Sequence, residues 1–170
     1  MENNLRAYHF GNYYLSAIQQ GIQAAHAQTN LLRLHCGPDN SGPQTATDMV
    51  WEWTKQPTMI CLNGGNEKGL HDTYELFQQA SQFPFAAFLE DQDSLGGSLT
   101  NVVILLPEYM YTARYELVVG TEFKTFAELA EDKYYTETLV VSNFMEKHEI
   151  TEFTAGDILI IDHLAKHRLA

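Results

Sequence analysis

Phe85-Ala86-Ala87-Phe88-Leu89, then Glu90-Asp91-Gln92-Asp93-Ser94-Leu95-Gly96-Gly97, then Val102-Val103-Ile104-Leu105-Leu106: two short apolar runs flank an acidic turn that ends in paired glycines. A continuous run of about five apolar residues bounded by turn formers reads as a strand buried on both faces. Thr58-Met59-Ile60-Cys61-Leu62 has the same character upstream, and residues 5–10, which include Arg6 and His9, read as a first strand. Between these runs the period changes. Leu15, Ile18, Ile22, Ala25, Leu31, Leu32 and Leu34 recur at spacings of three and four, which predicts a long helix with that stripe facing the core. Its end is expected at His35-Cys36-Gly37-Pro38, followed by a polar loop over 37–46. Thr47 or Asp48 is the expected N-cap of a short helix through Val50, Trp51 and Trp53, and Leu70, Tyr74, Phe77 and Ala80 mark a helix over 70–82. Strands alternating with helices predict an α/β layer structure with a mostly parallel or mixed sheet.

The pattern loses its regularity at Pro107. Beyond it, residues 115–119 read as a strand, 125–131 as a helix, 139–141 as either, and 158–161 as a last strand or the start of a helix through Arg168. The expectation is an α+β extension over 108–170 following a domain over 1–107. Both segments carry a net charge of -6, so charge does not divide them.

Over all 170 residues, 10 Lys+Arg stand against 22 Asp+Glu, a formal net charge of -12. Such a field repels tRNA and anionic lipid, and argues against a general nucleic-acid binder. The opening Met1-Glu2-Asn3-Asn4 has no cationic, apolar leader character, and 102–106 is far too short to span a bilayer. A cytoplasmic protein with no membrane partner and two reduced cysteines, Cys36 and Cys61, is the expectation. Gly64-Gly65 and Gly96-Gly97 lack the following lysine of a phosphate loop. His163 and His167, four apart, would share a helix face, but no third ligand stands in pattern with them. Neither a cofactor nor a metal is expected.

The order of elements and several residues resemble the type-2 peptidyl-tRNA hydrolases over roughly residues 5–107. The first helix reads Gln19-Gln20-Gly21-Ile22-Gln23-Ala24-Ala25-His26-Ala27, and Gln23 with His26-Ala27 matches that family's glutamine and His-Ala spacing. A helix with Trp53, the strand over 58–62, the helix over 70–82, the strand over 85–89, the acidic turn and Thr100 before the last strand follow in the family's order. The resemblance implies a three-layer α/β/α domain with a mixed four-stranded sheet, hydrolysis of the ester joining a peptide or acyl group to tRNA, and homodimers. Two departures stand out. The family's helix lysine falls on Gln19, and its Asp-Ala-Gly-Arg-Thr turn is replaced by Asp91-Gln92-Asp93-Ser94-Leu95, or by the same turn read from Glu90.

Ester hydrolysis needs an activated water and donors for the developing oxyanion. His26 is the expected proton acceptor, Asp91 or Asp93 its orienting carboxylate, and Thr100 a donor, with Gln19, Gln23, Ser94, Tyr13 and Tyr14 as substrate-binding residues. Tyr13-Tyr14 occupy the place of the family's basic segment, which would make a phosphate-reading entrance into a stacking one. The missing cations open a second reading: a catalytically inactive member of the fold that binds a nucleotide-like ligand or a protein.

Overall fold

The computed structural model describes residues 4–38 and 40–170; residues 1–3, and Asp39 of the expected 37–46 loop, lie outside the described residues. Two compact units make up the chain, one of residues 5–106 and 167–170, the other of Asn4 with 107–166.

In the first unit the order is β1 (Leu5–Gly11), α1 (Ala17–Cys36), α2 (Gln44–Lys55), β2 (Met59–Asn63), α3 (Glu67–Ala80), β3 (Phe85–Leu89), α4 (Gln92–Leu95) and β4 (Leu99–Pro107). The four strands form one mixed sheet in the order β2-β1-β4-β3. β1 and β2 are parallel, with Tyr8 opposite Ile60 and Phe10 opposite Leu62. β4 is antiparallel to β3. It also runs against β1, since Asn12 N–H meets the Thr100 carbonyl near one end and Glu108 N–H the Asn4 carbonyl near the other.

Helices cover both faces. Ala7, Ala86, Val103 and Leu105 point to one side, where Ala27 and Leu31 of α1 and Val50 and Trp53 of α2 close over them. On the other side Phe77 of α3 meets Phe10 edge-on at 5.6 Å and packs with Tyr74 around Phe85. Every residue of β4 is buried, as its continuous apolar run predicts.

α1 differs from expectation in which face it buries. Gln23, Ala24, Ala27 and Leu31 face the sheet, while Ile18 and Ile22 are exposed. Small side chains let a helix approach the sheet closely. The orientation is set at its start, where Ser16 and Gln19 form a capping box and Gln20 reaches back to the Leu15 carbonyl. α2 begins at Gln44, before the expected Thr47 or Asp48 cap; Thr47 instead donates to the His35 carbonyl, and Asp48 accepts from Gln44.

Groups outside the sheet bond to both of its edge strands. Asn30 of α1 donates to the Ala87 carbonyl on β3. Along β2, Asn63 N–H donates to the Arg168 carbonyl and Ala170 N–H to the Cys61 carbonyl, so residues 167–170 run beside the strand. His167 therefore lies beyond the last helix, and its Nδ1 meets the Asn63 carbonyl at 2.8 Å. It does not share a helix face with His163.

The second unit is helical where an α+β extension was expected: α5 (Tyr109–Leu117), α6 (Phe126–Glu131), α7 (Lys133–Thr136), α8 (Leu139–Lys147) and α9 (Ala155–Leu164). Residues 115–119, expected as a strand, run from the last turn of α5 to just past its end, and Met110, Ala113 and Leu117 of that helix are buried at helical spacing. Residues 158–161 lie inside α9, which a capping box of Thr154 and Asp157 starts. The Asp162 carboxylate accepts the Phe126 and Ala127 N–H groups at 2.7 and 3.0 Å, taking up two free donors at the start of α6. Asp162→Ala is expected to destabilise this unit by about 1–2 kcal/mol in urea unfolding. An unchanged midpoint would show that the cap carries no net stability.

Candidate functional site

Because β4 opposes its neighbours, its first residues stand at the same end of the sheet as the last residues of β1, β2 and β3. The carboxyl ends of parallel strands form the usual ligand crevice of open α/β sheets. Three connections meet here, over residues 12–16, 64–66 and 90–98. Gly64 N–H donates to the Gly11 carbonyl at 2.8 Å, and Tyr13 N–H donates to the Gly65 carbonyl at 3.0 Å. A Cβ at Gly64 would come within 2.5 Å of the Leu70 side chain and 3.1 Å of the Gly11 carbonyl oxygen, so only glycine permits this approach.

Thr100 is buried at the centre. The register slip between Phe88 and Leu89 leaves it without an opposite residue on β3. Its hydroxyl lies 3.5 Å from both Gln23 Oε1 and the Phe88 carbonyl. His26, one turn further along α1, is exposed and stacks on the Phe88 ring at 4.6 Å with a 17° interplanar angle. Gln23, Thr100 and His26 are thus gathered around Phe88.

The remaining expected residues are held otherwise. Gln19 accepts from Ser16 N–H in the capping box. Asp91 caps α4: the Ser94 side chain and backbone N–H bond to its carboxylate and hold it below the usual carboxylate range. Asp93 is exposed in the first turn of the same short helix. Tyr13 and Tyr14 are 45% and 74% exposed, with ring centroids 4.1 Å apart. The Tyr14 hydroxyl, bonded to Tyr13, raises the Tyr13 phenol above its ordinary value. The three connections carry Glu90, Asp91 and Asp93 and no lysine or arginine.

One pair was missed by sequence reasoning. His9, fully buried on β1, bonds through Nδ1 to Asn101 Oδ1 at 3.0 Å. A carboxamide oxygen only accepts, so Nδ1 carries the proton and Nε2 is a bare acceptor. Nε2 has no partner among the described residues. Burial pushes the imidazole down to about 4, and the Asn101 bond offsets part of that. The one available signal was a histidine between Tyr8 and Phe10 in an apolar strand.

No family model matches the chain, and neither does any curated protein.

His9 makes stability depend on pH with a definite sign. Between pH 6.5 and about 4 the unfolded chain binds a proton at this residue that the folded chain does not. Stability from this group is therefore present above 6.5 and lost as the pH falls through that window, by roughly 3 kcal/mol. Unfolding free energies of wild type and His9→Gln measured across the window are expected to differ in slope accordingly. Identical slopes would show that His9 is not kept neutral by the fold.

Proposed function

We propose that the chain is a binding module built on a plan resembling the type-2 peptidyl-tRNA hydrolases, and that its crevice takes a neutral, nucleoside-like ligand. The observation that carries this reading is the exposed Tyr13–Tyr14 ring pair on a connection tied by Tyr13 N–H to Gly65 and by Asn12 N–H to Thr100. Stacking on an aromatic face is worth about 1–3 kcal/mol per base and needs no charge. Three carboxylates and no cation in the surrounding connections disfavour phosphates by like-charge repulsion. Gln23 and Thr100, buried beside this end of the sheet and bonded to each other, add no charge to it. Asp91 is engaged in capping α4, so the acid–base pairing that hydrolysis asks of it has no support here.

Calorimetric titration with adenosine and with adenosine monophosphate tests this. Adenosine is expected to bind more tightly than the monophosphate, and Tyr14→Ala to weaken adenosine binding about tenfold. Tighter binding of the monophosphate, or unchanged affinity in Tyr14→Ala, would overturn the reading.

A second reading is favoured by the grouping of Gln23, Thr100 and His26 around Phe88. There His26 acts as the base of an ester hydrolase and Thr100 as a donor. Its test is single-turnover release of peptide from an N-blocked aminoacyl-tRNA. The binding reading expects no release above background at low or physiological salt; release that disappears in His26→Ala would replace it with the hydrolase.

A further inference from the structure

The last turn of α1, the loop after it, Tyr74 of α3 and the first residue of β3 line a cavity of about 320 Å³. It lies at the opposite ends of α1 and β3 from the crevice. Its volume is at the small end of ligand pockets, roughly 300–1,000 Å³. Much of the wall is apolar: the Tyr74 ring meets the Phe85 ring edge-on at 5.7 Å, and Leu34 and Pro38 also line the space. Among the described residues the lining has no Asp or Glu. Its one permanent cation is Arg33, since burial pushes the neighbouring His35 imidazole below its ordinary value. Among the described residues the Arg33 side chain has no ion-pair partner and the Ser41 hydroxyl no hydrogen-bond partner.

A cation in the last turn of a helix commonly serves the helix end. Here that end is satisfied without the Arg33 side chain. The Arg33 carbonyl accepts the Gly37 N–H at 3.1 Å, and the His35 carbonyl accepts from the Asn40 and Thr47 side chains, each at 2.8 Å. The guanidinium is left unpaired in a chain where 22 Asp+Glu outnumber 10 Lys+Arg.

We propose that this cavity binds a small aryl carboxylate, with the carboxylate on Arg33 and the ring against Tyr74 and Phe85. A planar guanidinium presents parallel N–H donors that match the two oxygens of a carboxylate. The Ser41 hydroxyl supplies a further donor. Aromatic walls favour a ring, through edge-to-face contact as well as through the apolar area removed from water. Net charge selects the anion. One guanidinium balances a monoanion, whereas a phosphate dianion brings a second negative charge into the field of a -12 chain. The site shares no residue with the Tyr13–Tyr14 crevice, so the proposal stands without the nucleoside reading.

Heteronuclear NMR titration of the full chain with phenylacetate, phenylacetamide and phenyl phosphate tests it. Phenylacetate is expected to shift the amide signals of Leu34, Ser41, Tyr74 and Phe85. It should bind about fivefold more tightly than the uncharged amide, the upper end of what a partly exposed ion pair contributes. Phenyl phosphate is expected to bind more weakly than phenylacetate. Arg33→Ala, a change at an exposed residue, should bring phenylacetate down to the affinity of the amide, while Tyr14→Ala leaves it unchanged. Absence of shifts at these residues, equal affinity for acid and amide, or indifference to Arg33→Ala overturns the proposal. Loss of binding in Tyr14→Ala would place the ligand in the crevice and overturns it as well. Tighter binding of phenyl phosphate overturns the choice of carboxylate.

Discussion

The antiparallel insertion of β4 between β1 and β3 is the constraint on which the first unit depends. With nine buried residues it is the longest strand, and it can be satisfied only in the sheet interior with helices above and below. Its direction brings Thr100 to the end where three parallel strands finish. Had β4 run parallel, Thr100 and Asn101 would stand at the opposite end from the 12–16 connection and the start of α1. The Thr100–Gln23 and Asn101–His9 contacts both follow from that one choice of direction.

β4 was legible because a strand buried on both faces must be apolar throughout. β2 and β3, expected to be buried from the same apolar character, are edge strands in which only Leu62 and Ala86 are buried. The orientation of α1 was not legible. Its largest apolar residues, Ile18 and Ile22, suggested a core stripe, yet the sheet receives Ala24, Ala27 and Leu31 instead. Hydrophobic period reports which residues share a face; it does not say whether that face meets the sheet of its own chain. In the second unit Tyr115, Val118 and Val119 suggested a strand over 115–119. Burial of Met110, Ala113 and Leu117 at helical spacing outweighed that local preference.

The site was legible in part for related reasons. Gln23, His26 and Thr100 were singled out by a family-like spacing, and one helix crossing one strand end sets Gln23 against Thr100 and His26 against Phe88. The buried His9–Asn101 pair left almost no trace in sequence, since its two members lie ninety-two residues apart and each sits in an apolar run. Gln19 and Asp91 show the opposite limit. A residue type suited to chemistry is equally suited to capping a helix, and sequence alone does not distinguish the two uses.

Residues 167–170 run along β2 after the chain has left the first unit at Leu106 and built the whole second unit. The outer edge of β2 is therefore closed by residues synthesised some sixty positions after the sheet's fourth strand. During translation, four strands can pair while the backbone groups on the outer side of β2 still face water. An open edge of that kind is a template for pairing with another chain. The time needed to make residues 107–166 thus sets how long the nascent protein carries an adhesive border, and the tail acts as the final seam of the sheet.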